Sequence, residues 1–387
     1  MKPYQYINCI LQTIFSEELP FEVEHLVFDD NVRWQYNNMD NMLYSKFLLS
    51  SESYYDYLKK SWKDKWNNNT LQDKSNPNTY RILPHIIDHS FEPVDVNLDK
   101  EFWDPKFKSN RRWPRSSMGV GKQGDYIYDH YEPKDYPLIV LHSEYNSKDL
   151  KQLEEYTYKS IHWFSHAYIC SEFYFKHYSK LEIVPNYTAR PIRNKWICTN
   201  RLLRHHRTDL LEQIDLSQGC YSLLNPDPNG LIYKGPVPAK SFDEHSNSSA
   251  EIDLRGLNNW NTAFLHVVSE TVWQDKIHFT EKVFKPIVLH QPFIVLQAPG
   301  SLEYLKSYGF KTFDKWWDES YDTIQDPKER LSCIAHIIDD IGRKSINELE
   351  TLRMEMASVL EHNFRHFYEN IPAIVLDELR VNLRILT

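Results

Sequence analysis

Glycine is scarce, 10 of 387 residues, and none of it builds a phosphate-cradling loop. Gly119 to Gln123 lacks the P-loop spacing and the Ser or Thr that should follow its lysine, so it reads as a flexible turn. Cysteine is also sparse. Cys9, Cys170, Cys198, Cys220 and Cys333 are scattered, odd in number and without CxxC spacing, which argues for reduced thiols and against a disulfide framework or a zinc site. No apolar run approaches the 18 residues of a membrane span, and the first 21 residues lack a signal-peptide core, so a cytoplasmic protein is expected. A positive excess is missing too: the net charge of −9 gives no global field for nucleic acid or anionic lipid. HExxH, GxSxG and a Ser–His–Asp arrangement are all absent.

The residues that are present describe an ordinary globular chain, 41% hydrophobic and 26% charged, long enough for two domains with separate cores. Aromatics are abundant, with 25 Tyr, 19 Phe and 11 Trp. They fit carbohydrate-facing platforms, but bulky cores drawn from a biased codon supply explain them more simply. Lys106 to Arg115 is a basic strip, read first as a solvated loop and second as an anion- or acceptor-binding surface. The sequons at Asn68, Asn186 and Asn247 are chance matches in a protein without a secretory route.

Periodicity is poor over the first hundred residues, where His25–Phe28 is a strand candidate and 62–78 reads as loop or surface helix. Beyond Tyr136 the pattern sharpens. Strands are expected at 137–141, 161–170, 195–199, 262–268 and 292–296, with helices at 149–160, 206–214, 281–290 and 301–308, the last stopped by Gly309. That alternation implies parallel α/β architecture. The tail from Asp326 reads as helical, carrying Leu349, Leu352, Met356, Leu360 and Phe364 on one apolar series. A domain boundary is expected near 185–194, and 225–259 reads as a surface excursion.

Three constellations can carry chemistry. Thr280 is a good N-cap, which places Glu281 and Lys282 in a first helical turn, with Lys285 three and four residues on. A helix start offers free N–H groups and partial positive charge to phosphates, and an adjacent carboxylate suits a ribose diol; a capped surface helix is the plain alternative. Asn200, Arg201, Arg204 and Arg207 follow a strand and open a helix, where open α/β sheets bind ligands; a polar loop with surface arginines fits equally well. Glu144 and Glu270 each lie just past a strand, where partial burial suits a carboxylate for general-base work; the alternative is a strand-end cap. His162 and His166 read as core or cleft histidines on a strand, and Asp29-Asp30 as a strand end.

Together Ser269-Glu270-Thr271, Phe279 to Lys282, Lys285-Pro286, Pro292 to Val295, Gly309-Phe310, Phe313-Asp314 and Asp318 to Asp322 resemble the donor-binding half of fucosyltransferase-like enzymes. The resemblance is closest to the glycosyltransferases of large DNA viruses and phages. It covers roughly 138–330 and includes Asn200 to Leu211, similar to the family's arginine-bearing loop and helix. It implies a GT-B-like α/β fold, two Rossmann-like domains facing across a cleft. The corresponding divisions are 1–190 on the acceptor side, 191–345 for the nucleotide sugar and 346–387 as C-terminal helices.

By that resemblance Glu281 binds the ribose, Lys282 and Arg207 meet the donor diphosphate, and Glu144 is the base that deprotonates an acceptor hydroxyl. Asn200, Arg201, Arg204, Glu270, Thr280 and Lys285 complete the donor-binding set, with no metal or cofactor expected. The expected activity is inverting transfer from a nucleoside-diphosphate sugar to a glycan or other hydroxyl-bearing acceptor, in the host cytoplasm if the chain is virus-encoded. The family's longer Glu-Asn-Ser pattern is replaced here by Ser269-Glu270-Thr271, so fucose does not follow as the donor sugar. The rivals are a retaining transferase using Glu270 and Glu281, a catalytically silent nucleotide-sugar-binding scaffold, and a nucleic-acid-modifying transferase, which the net charge disfavours.

Overall fold

In the computed structural model the described residues are 22–25, 79–84, 102–104, 109–111, 138–147, 158–179, 187–228, 230–241 and 258–384. The chain first lays down β1 (Glu22–His25), β2 (Thr79–Pro84), β3 (Phe102–Asp104), β4 (Ser109–Arg111), β5 (Leu138–His142) and β6 (Tyr158–His162). β1, β2, β5 and β6 form a parallel sheet in that order, while β3 pairs antiparallel with β4, which lies in the basic strip. The segment 161–170, expected as a strand, is strand only to His162; from Ser165 it turns into helix α1 (Ser165–Ile169). A short apolar run does not separate a buried strand from a buried helix, and here the helix won. Residues 158–160, read as the end of a helix, are strand; the rest of that helix, 26–28, 29–30, 62–78 and 119–123 lie outside the described residues.

The second sheet is built from β7 (Asn194–Asn200), β8 (Cys220–Leu223), β9 (Ala263–Ser269) and β10 (Phe293–Leu296), all parallel, in the order β10-β9-β7-β8. β8 has no counterpart in the sequence expectations; the others fall within a residue or two of them. β8, β9 and β10 are buried at every position, as befits strands covered on both faces. Helix α2 (His205–Gln213) leads from β7 to β8, and α3 (Glu281–Val288) leads from β9 to β10. These crossovers run to opposite edges of the sheet, so their common handedness puts the helices on opposite faces.

Helix α4 (Ser301–Ser307) ends as the sequence predicts. Gly309 takes φ +91° and donates to Lys306 O at 2.9 Å, and Phe310 N–H reaches Leu305 O at 3.2 Å, closing the last turn from beyond its end. A Cβ at Gly309 would lie 2.7 Å from His366 Nε2. Gly309→Ala should therefore lose more than about 1 kcal/mol in a urea titration, since left-handed backbone strain adds to that clash.

The helical tail comprises α5 (Pro327–Arg343), α6 (Ile346–Glu355), α7 (Ala357–Glu369) and α8 (Ile371–Arg384). Asp326 caps α5 through Glu329 N–H, and Ser345 with Glu348 forms a capping box at α6. α5 packs on α2 and β7, and α7 on α3. α8 reaches the first sheet, packing on β6 and α1. No helix among the described residues is long and apolar enough to cross a membrane.

Candidate functional site at the strand ends

β7 and β9 are neighbours, yet the chain leaves them in opposite directions, β7 toward β8 and β9 toward β10. Between their carboxyl ends lies the topological switch point of the sheet, the place where open α/β sheets leave a crevice for ligands. The N-terminal turns of α2 and α3 follow those two strand ends, so two helix starts direct N–H groups and partial positive charge there.

Thr280 is the N-cap of α3, its hydroxyl accepting from Lys282 N–H at 3.5 Å and from Lys282 Nζ at 2.8 Å. Glu270, with no exposed side chain, holds that cap in place: it accepts from Thr280 N–H at 3.1 Å and from the Thr280 hydroxyl at 2.7 Å. Thr280→Ala should thus cost about 2–3 kcal/mol, removing the cap and a partner of a buried carboxylate. Chemical denaturation checks this, and Thr280→Ser should restore most of it.

Glu281 and Lys282 form the rim, with side chains 12% and 27% exposed and 3.6 Å apart. Burial pushes the Glu281 carboxyl up, but the charges of Lys282, Lys285 and His166 outweigh it and hold the group well below the usual carboxylate range. Glu281 is therefore an ionised acceptor at neutral pH, suited to hydroxyl donors. Lys285 does not share this rim. It is buried, its Nζ 5.0 Å from the centre of the Trp260 ring.

The arginine segment also divides by depth. Arg201 is exposed and Arg204 half-buried at the start of α2. Arg207 is buried and donates to Leu202 O at 3.1 Å, Ser269 O at 3.0 Å and Glu270 O at 3.1 Å. It braces the end of β9 against α2. His206 adds a contact to Glu270 O at 3.0 Å; the carbonyl accepts, so Nε2 carries the hydrogen. Burial first, and then the charge of Arg207, drives the His206 pKa well below the ordinary imidazole value, which keeps the ring neutral. Asn200 is buried at the end of β7, with its N–H bonded to Ser222 Oγ at 2.9 Å.

Residues after β5 meet the loop before α3. Tyr145 and Ile277 exchange backbone hydrogen bonds of 2.8 and 3.0 Å. Ser143 Oγ lies 3.4 Å from His166 Nδ1 and 3.3 Å from His278 Nδ1, tying α1 to the approach of α3. Glu144 and Lys276 form an ion pair at 3.2 Å, with side chains 0% and 1% exposed. Glu144 is thus a buried, paired carboxylate, and not the half-open strand-end group the sequence suggested. Lys276 and His278 were missed by sequence reasoning. The alternation Lys276-Ile277-His278-Phe279 was the available signal, since it marks an extended segment with Lys276 and His278 on one face.

Among the described residues no group of three or more His, Cys, Asp or Glu is arranged to hold a metal ion. No protein-family model matches the chain, and no curated protein matches it. The fucosyltransferase-like resemblance therefore rests on its motif residues. Among solved structures, similarity is found to the DNA-modifying enzyme β-glucosyltransferase, determined in the presence and absence of its substrate uridine diphosphoglucose. That similarity spans 64% of this chain and 67% of the other, at 8% identity and a TM-score of 0.35. An overlap this loose assigns neither family nor function.

Proposed function

We propose that the chain is a glycosyltransferase, moving a sugar from a nucleoside-diphosphate donor to an acceptor hydroxyl with inversion at the anomeric carbon. The observation that carries the reading is the rim at the switch point: an ionised Glu281 beside Lys282 on a capped helix start. Glu281 accepts from the ribose hydroxyls, while Lys282 and the N–H groups of α3 take the diphosphate. Arg201 and Arg204 are the arginines nearest to solvent for that charge; Arg207, Glu270, Thr280, Asn200 and Lys285 support the rim from behind. In this reading 191–345 binds the donor and 1–190 the acceptor.

Glu144 is the base. The acceptor O–H proton passes to its carboxylate, and the oxygen attacks the anomeric carbon. The bond from that carbon to the diphosphate breaks, and the leaving oxygen keeps the electron pair beside Lys282. Because Lys276 occupies Glu144, the pair has to open before an acceptor can reach the carboxylate. A screen of nucleotide sugars by thermal shift and nucleotide release tests the proposal. A donor that raises the melting point and is consumed with an acceptor supports it. Stabilisation by nucleotides without release of product from any donor would leave only a binding protein.

A further inference from the structure

We propose that Tyr145 is the stacking platform for the acceptor, and that the acceptor presents a neutral sugar ring to it; this rests on the transferase reading. Tyr145 is 42% exposed, while the large hydrophobic residues similarly exposed among the described residues, Ile346, Met354, Ile374 and Val381, all belong to the C-terminal helices. It directly follows Glu144, so the platform belongs to the same strand-end segment as the base. Exposure does not leave it loose. Its backbone is fixed in both directions by Ile277, and Asn146, the next residue, turns the chain at φ +56°, a conformation Asn tolerates.

The ring is propped as well. Its centroid lies 4.9 Å from that of Tyr304 and 5.7 Å from that of His162. These two supports are locked in turn. Glu378 of α8 can only accept, so His162 donates through Nδ1 at 3.2 Å. The other ring nitrogen, Nε2, lies 3.0 Å from the Tyr304 hydroxyl. Glu378 also accepts from Tyr308 OH at 2.7 Å and Phe164 N–H at 3.2 Å. An exposed aromatic ring whose backbone and neighbours are already ordered gives up little entropy when a ligand covers it.

Charge selects the occupant. The exposed Asp275, two residues before Ile277, and the exposed Glu303, next to Tyr304, are acidic, while the buried Glu144 is balanced by Lys276. They disfavour the phosphates of a nucleic acid but not the C–H face of a pyranose, whose partial positive charge suits the negative face of the ring.

Saturation-transfer NMR tests this with methyl β-D-glucopyranoside, methyl β-D-galactopyranoside and methyl N-acetyl-β-D-glucosaminide, in parallel with a thymidine oligonucleotide. At least one glycoside should receive saturation on the C–H groups of one ring face. Tyr145→Ala should weaken that binding about tenfold, while Tyr145→Phe and Tyr145→Trp keep it. The melting point of Tyr145→Ala should stay within a few degrees of the parent, which shows that the fold is intact. Binding of no glycoside, equal binding by Tyr145→Ala, or Tyr145-dependent binding of the oligonucleotide alone would each overturn the proposal. Calorimetry with nucleotide sugars is read separately, so failure of the transferase reading is distinguishable from failure of the platform.

Discussion

Glu144→Gln alone should cost the fold about 3–5 kcal/mol, because it breaks the ion pair with Lys276 in a buried site by removing one charge. Lys276→Met should be costly for the mirror reason, taking the paired ammonium away from a buried carboxylate. The double variant Glu144→Gln/Lys276→Met removes both charges and keeps similar volumes. It should recover to within about 1 kcal/mol of the parent, since exchanging a whole buried pair for neutral groups is often nearly neutral. Urea titrations of the four proteins measure this as a coupling energy. The same cycle separates stability from chemistry. If Glu144 is the base, the recovered double variant should bind donor normally yet turn over about 10²–10⁴-fold more slowly. Near-parental turnover in a folded double variant would remove Glu144 from the chemistry.

Glu281→Ala is the second large effect. Its carboxylate is ionised, held by Lys282, and keeps 12% of its side chain exposed at the start of α3. Losing hydrogen bonds to a charged acceptor should weaken nucleotide-sugar binding about 10- to 100-fold. Lys282→Ala should weaken it through the diphosphate and also steepen the cost of any remaining anion, since it frees Glu281 of its neighbour. Arg207→Ala should behave differently. Three backbone carbonyls lose a donor, so its first consequence is instability of the β9 end.

Local signals were legible wherever one residue's chemistry settles the backbone. Thr280 caps α3, Gly309 closes α4 and Asp326 starts α5, each where the sequence places it. The buried members of the C-terminal apolar series, Leu349, Met356, Leu360 and Phe364, face the core although the helix breaks at Met356 between α6 and α7. The strand at 161–170 misled because Ala167, Tyr168 and Ile169 fit a buried helix as well as a buried strand.

Which charges are open and which are consumed was not legible. Arg207 looked like the best phosphate ligand of its segment, but its partners are carbonyls up to 63 residues away. Glu144 looked like a half-open strand-end acid, and Lys276, which fills its coordination, comes from another sheet's loop. Long-range pairing of this kind leaves no periodic trace in a single sequence. Sequence spacing grouped Glu281, Lys282 and Lys285 on one surface; Lys285 is instead buried against Trp260, where its charge still acts on Glu281.

The most direct measurement is calorimetric titration of the parent chain and of Glu281→Ala with a panel of uridine, guanosine and adenosine diphosphate sugars. Saturable binding of one donor class by the parent, weakened about 10- to 100-fold by a Glu281→Ala protein that still unfolds cooperatively, is the predicted result. Binding of no nucleotide sugar, or equal affinity in the two proteins, would contradict a donor site at the head of α3.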